Sequence, residues 1–183
     1  MEDKKCKDLV EGSLNSRMED LRLLWAGYLN ADCPKCNGTG IDDDLSDSTC
    51  ETPCKYCKGK GRLNEDVPDL GNLYEYGLSF DYTAPFTFKG QSDGYFQYQI
   101  SWGGPSEEFR IFANKNRHGW QVYRIEFWYL DWFDGAKINL HGDDLNFMTE
   151  LSKQFFLECS GNSVYEKAME DWEAPEDEDD EEN

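Results

Sequence analysis

The chain of 183 residues is short of positive charge: 18 Lys and Arg stand against 38 Asp and Glu, a formal net charge of −20. Such a field repels nucleic-acid phosphates and anionic lipid and attracts basic partners, which disfavours direct nucleic-acid or membrane binding. Histidine is scarcer still. His118 sits in the loop-like run Asn116-Arg117-His118-Gly119 and His141 precedes Gly142, so neither has a catalytic neighbour in sequence. The G-x-S-x-G, H-E-x-x-H, P-loop and dinucleotide fingerprints are all missing, and the expectation is a non-enzyme. No apolar run approaches the ~18 residues of a membrane span, and Met1-Glu2-Asp3-Lys4-Lys5-Cys6 lacks the apolar segment of a secretory signal, so a soluble, cytoplasmic protein is expected.

Aromatic residues are plentiful, with 11 Phe, 10 Tyr and 6 Trp, enough to build a sizeable core in one medium domain carrying an insertion. The acidity is uneven. Residues 1–70 and 71–165 each carry net −5, whereas residues 166–183 carry net −10. The tail ending Glu173-Ala174-Pro175 and then almost unbroken acid offers too little apolar surface to offset ordering, and is expected to be disordered. It serves either solubility or electrostatic attraction of a basic partner.

Between residues 7 and 30, Leu14, Met18, Leu21, Trp25 and Tyr28 recur at helical spacing, predicting a helix (domain segment 1–31) whose apolar stripe packs on the main domain. Residues 73–82 alternate Tyr74, Tyr76, Leu78, Phe80 and Tyr82 with polar positions, which predicts a strand. Further strands follow at 95–102, 109–113 and 120–133, and Asp134-Gly135 signals a hairpin turn into 137–140. A last helix begins at Asp143 or Asp144, either of which can cap it, and stops near Gly161. Consecutive strands flanked by helices predict an α+β domain (67–162) with an antiparallel sheet of four to five strands, followed by an acidic tail (163–183).

Residues 32–66 hold few aliphatic side chains and need a staple. Two octets, Cys33-Pro34-Lys35-Cys36-Asn37-Gly38-Thr39-Gly40 and Cys54-Lys55-Tyr56-Cys57-Lys58-Gly59-Lys60-Gly61, both spell C-x-x-C-x-G-x-G, with 17 residues between Cys36 and Cys54. Two residues between cysteines let both thiolates reach one tetrahedral ion, and the glycines allow the turn that aims backbone N–H groups at sulfur. Cys33, Cys36, Cys54 and Cys57 are therefore the expected ligands of one structural Zn²⁺. Disulfides and a redox pair fit the apparent compartment and the surrounding pattern less well. Cys50 lacks the frame, Cys6 and Cys159 read as isolated thiols, and the acids between Ile41 and Thr52 form no calcium-loop pattern.

The octets resemble the repeats of the cysteine-rich zinc domain of DnaJ-type chaperones. That family carries four repeats and two zinc sites, whereas this chain has two repeats over residues 33–61, enough for one. The resemblance implies the four ligands and nothing further; the His-Pro-Asp tripeptide of a J-domain is not present. In size and charge alone, the chain is similar to acidic phage and plasmid anti-defence inhibitors such as anti-restriction and anti-CRISPR proteins.

Acids flank large aromatics in Asp131-Trp132-Phe133-Asp134, and with Trp102-Gly103-Gly104-Pro105 these form either core at strand ends or an acidic aromatic rim. The candidate partner-binding residues are Trp102, Asp131, Trp132, Asp134, Asp143 and Asp144. The expected role is occlusion of a basic surface on a partner protein, a nuclease or a DNA- or RNA-binding complex, by a DNA mimic. The alternative is an adaptor or co-chaperone contacting clients through Lys35, Lys55, Tyr56, Lys58 and Lys60.

Overall fold

The computed structural model describes residues 5–42, 52–170 and 172–173. Helix α1, Cys6–Tyr28, leads through the cysteine segment to a single helical turn α2, Leu73–Tyr76. Five strands follow, β1 Ser79–Thr83, β2 Tyr95–Ser101, β3 Ser106–Asn116, β4 Gly119–Asp131 and β5 Asp134–Asn139, in spatial order β1-β2-β3-β4-β5 with every pair antiparallel. The chain ends in α3, Gly142–Leu151, which runs without a break through a π-helical stretch, Ser152–Gly161, into α4, Asn162–Met169. This is the expected α+β architecture.

Both helical layers lie on one face of the sheet, α1 across β4 and β5 and the C-terminal helices against β1 and β4. The alternation of the strands explains why. Phe96, Tyr98 and Ile100 of β2, Phe109 and Ile111 of β3, and Ile125 and Phe127 of β4 all point inward, where they meet Leu14, Met18, Leu21 and Trp25 from the α1 stripe and Met148, Leu151, Phe156 and Leu157 from the C-terminal helices. Phe80 stacks on Phe96 at 5.6 Å and on Phe156 at 4.8 Å, and Phe109 meets Phe127 at 5.0 Å. Each such ring contributes about 1.5–3 kcal/mol by leaving water.

Four local expectations need correction. The strand expected at 73–82 begins only at Ser79, because Asn72 Oδ1 accepts from the backbone N–H of Tyr74 (3.0 Å) and Glu75 (3.2 Å) and caps α2. The hairpin turn comes two residues earlier than Asp134-Gly135: Asp131 pairs with Asp134 across Trp132 and Phe133. Neither Asp143 nor Asp144 caps α3, whose cap position is His141; both acids lie in the first turn. Gly161 stops nothing. A Cβ there would lie 3.1 Å from Trp120 Nε1, so the glycine admits that indole while the helix continues to Met169, inside the stretch assigned to the tail. Residues 174–183, Cys50 and the acidic run 43–51 lie outside the described residues. Among the described residues no helix is long and apolar enough to cross a membrane.

Candidate metal centre and binding rim

The two octets fold as equivalent copies of one turn and pair with each other. Cys33 N–H donates to Gly61 O and Cys54 N–H to Gly40 O, both at 2.8 Å, while isolated bridges join Asp32 to Arg62 and Ile41 to Pro53. Within each octet the same backbone bond recurs, Gly38 N–H to Cys33 O and Gly59 N–H to Cys54 O at 3.2 Å. Glycine is required at the crossing point: a Cβ on Gly40 would sit 2.4 Å from Gly59 O and one on Gly61 2.2 Å from Gly38 O, and both residues have φ near +80° or +75°.

This pairing brings the sulfurs of Cys33, Cys36, Cys54 and Cys57 within 4.8 Å of one another, all four buried. Cys36 Sγ lies 3.7 Å from Cys57 Sγ, close to the ~3.8 Å edge of a tetrahedron with metal–sulfur bonds of ~2.3 Å. Gly40 N–H points at Cys36 Sγ and Gly61 N–H at Cys57 Sγ, each at 3.3 Å. The donor set fits one metal ion with an outer shell of backbone N–H groups. Burial pushes the Cys33 thiol up to about 12 and raises Cys57 too. At Cys36 burial also acts upward, but the Gly40 N–H and the neighbouring thiols outweigh it and the value falls. A metal ion bound here would favour the thiolate forms of Cys33 and Cys57 that burial disfavours.

The knuckle is fastened to the end of α1. Leu63 N–H donates to Ala31 O at 3.0 Å, Leu63 and Val67 join the core, and a Cβ on Gly27 would strike Asn64 O at 2.5 Å. Lys35 reaches Glu19 of α1, and the Lys35 and Lys55 ammoniums lie 5.5 and 4.7 Å from the Tyr56 ring centre.

At the opposite end of α1 the β2–β3 and β4–β5 turns meet. A Cβ on Gly104 would touch Asp131 Oδ1 at 2.8 Å and Trp132 Nε1 at 2.9 Å, so the Trp102–Pro105 turn abuts the Asp131–Asp134 turn. The aromatics there are not core. Trp102 is 82% exposed, Trp132 88% and Phe133 fully exposed. Trp132 also holds φ +44°, a conformation that bulky residues seldom adopt. Asp134 Oδ2 accepts from Cys6 N–H at 2.8 Å, capping α1 from 128 residues away, and that bond holds the Asp134 carboxyl below the usual range. Trp102, Asp131, Trp132 and Asp134 are thus one cluster. Asp143 and Asp144 are not part of it: Asp144 Oδ1 pairs with Arg22 at 2.8 Å, sixteen residues or about 24 Å along α1 from Cys6.

Sequence reasoning overlooked the buried acids of the strands. Glu107, facing α1, accepts from Arg17 Nε at 2.9 Å and from Ser13 Oγ. Glu108 and Glu126 lie on the opposite face of the sheet, 3% and 4% exposed. The one signal was Glu107-Glu108 itself, since neighbours in a strand point to opposite faces and only one of them can be at the helices. No family model, curated protein or solved structure matches this chain.

Proposed function

We propose that this chain is a non-catalytic acidic binding protein, held in shape by one structural zinc, that docks its aromatic rim on a basic surface of a partner protein and occludes it. The observation that carries this reading is the exposure of Trp102, Trp132 and Phe133 beside Asp131 and Asp134 at one end of the sheet. Three large rings left in water are unfavourable in isolation. Buried against a partner they would form the apolar centre of an interface, with carboxylates at its edge. Net charge of −20 steers the encounter toward a basic partner, and a nucleic-acid-binding groove is the basic surface that mimicry of phosphates would target. Zinc suits four thiolates at tetrahedral spacing better than hard cations do. Its part is structural, because four sulfurs close the coordination shell.

The test is affinity isolation on the immobilised, metal-loaded chain beside a Trp102→Ala/Trp132→Ala variant. A nuclease or nucleic-acid-binding protein retained by the parent chain, released by high salt, displaced by DNA and lost by the double variant supports the reading. Retention that is indifferent to the variant overturns it, as does binding of DNA by the chain itself at physiological salt. A second reading, an adaptor that contacts clients through the knuckle, draws on Tyr56 held beside Lys35 and Lys55. It predicts salt-insensitive capture of unfolded chains, abolished by Tyr56→Ala.

A further inference from the structure

The sheet face turned away from the helices carries a cleft of about 610 Å³ bounded on one side by the β1–β2 loop. Its floor is built from buried acids, each already matched. Glu108 accepts from Arg110 Nε at 2.6 Å and from Gln97, and Glu126 accepts from Lys137 Nζ and Trp128 Nε1, both at 2.9 Å. Buried charges are costly unless so paired, and here their partners form the layer above them. The Arg110 guanidinium lies between the rings of Trp128 (3.9 Å) and Tyr95 (4.8 Å), and the Lys137 ammonium flanks the same indole at 5.2 Å. Among the described residues Arg110 spends only Nε on Glu108 and Lys137 only one donor on Glu126, while Lys89 makes no ion pair. Among the described residues, the one exposed acid lining the cleft is Asp93, which Arg124 meets at 3.1 Å. On a strongly acidic molecule this face leads with cations.

Near its last described residues the chain returns to the loop that borders this cleft. Trp172 Nε1 donates to Pro85 O at 2.8 Å, which fixes Trp172 on the β1–β2 loop. Residues 176–182 beyond it are an unbroken run of acids. The ten residues after Glu173 can extend about 33 Å, more than the roughly 19 Å across five strands spaced ~4.8 Å apart. We propose that the cleft is a docking site for an acidic peptide, and that its occupant is the chain's own segment 176–182, whose carboxylates take the open donors of Arg110, Lys137 and Lys89. Tethering places those carboxylates at an effective concentration on the order of millimolar, so weak individual pairs suffice. This inference is independent of the partner proposed for the rim.

The test compares the metal-loaded full chain with a full-length variant in which the acids of 176–182 are replaced by their amides. The readouts are the nuclear magnetic resonance signals of the Trp128 indole N–H and the Arg110 Nε–H. The two chains should differ at those signals, and added salt should move the parent chain toward the variant. A synthetic peptide of residues 174–183 should bind the amide variant and restore the parent positions. Lys137→Gln, which leaves Glu126 its Trp128 and Arg124 partners, should weaken that peptide by about tenfold. Coincident cleft signals in the two chains would overturn the proposal. So would differences confined to the knuckle residues 55–62, an unchanged peptide affinity in K137Q, or inorganic phosphate acting as well as the peptide.

Discussion

The cysteine knuckle and the sheet domain are held together by opposite means. The sheet buries rings such as Phe96, Phe109 and Phe127 and draws its stability from many apolar contacts spread over five strands and two helical layers. The knuckle buries four sulfurs and little else, with Leu63 and Val67 as its anchor, and its two halves meet backbone to backbone at Gly40 and Gly61. One region tolerates the loss of a single contact and the other does not. Metal binding free energies of about 10–16 kcal/mol in structural zinc peptides show how much of such a module can depend on one ion.

Cys57→Ala is therefore expected to have the largest effect. It removes one of four donors, and limited proteolysis should cut between residues 33 and 62 while amide exchange across β2, β3 and β4 stays slow; loss of protection in the strands as well would show that the two regions are one cooperative unit. Phe109→Ala attacks the other region. It should cost about 3–5 kcal/mol in chemical denaturation while leaving the metal bound, since the ring is fully buried among Phe127 and its neighbours.

A smaller effect is expected where α1 joins the sheet. Glu107→Ala strips Arg17 and Ser13 of their shared acceptor and should cost about 1–3 kcal/mol, less than a fully buried pair because Arg17 keeps contact with water and with Asp20. The smallest effect comes from Asp134. Its carboxyl is depressed by the Cys6 N–H, so its contribution is present above the ordinary aspartate range and is lost as pH falls through the folded value. Asp134→Asn should lower stability slightly at neutral pH, where the carboxylate contributes, and leave it almost unchanged below the folded value, so that the acid limb flattens; a uniform loss at every pH would mean the bond acts through packing rather than charge.

The legible parts of the sequence were those whose cause is local. C-x-x-C-x-G-x-G announces a metal half-site because the thiolates and glycines that make it are within eight residues of each other, and the Leu14-to-Tyr28 stripe announces α1 because its period is its burial. Residues 73–76 misled because their tyrosine alternation competes with Asn72, whose two cap bonds win over a strand with no partner on that side. The hidden features all depend on distant pairing. Nothing near Asp134 says that it caps α1, and nothing near Glu108 or Glu126 says that Arg110, Trp128 and Lys137 will cover them, because register across three strands brings those side chains together. The exposure of Trp102 and Trp132 is of this kind too: both lie just beyond the last paired residues of their strands.

The most direct test of this division is to measure metal content and amide signals on one sample as a high-affinity chelator is titrated in. The account predicts one zinc per chain at the start, and progressive loss of the dispersed signals of residues 33–42 and 52–62 in step with zinc release while the strand signals hold. Protein purified without metal, or a knuckle spectrum indifferent to the chelator, would contradict it.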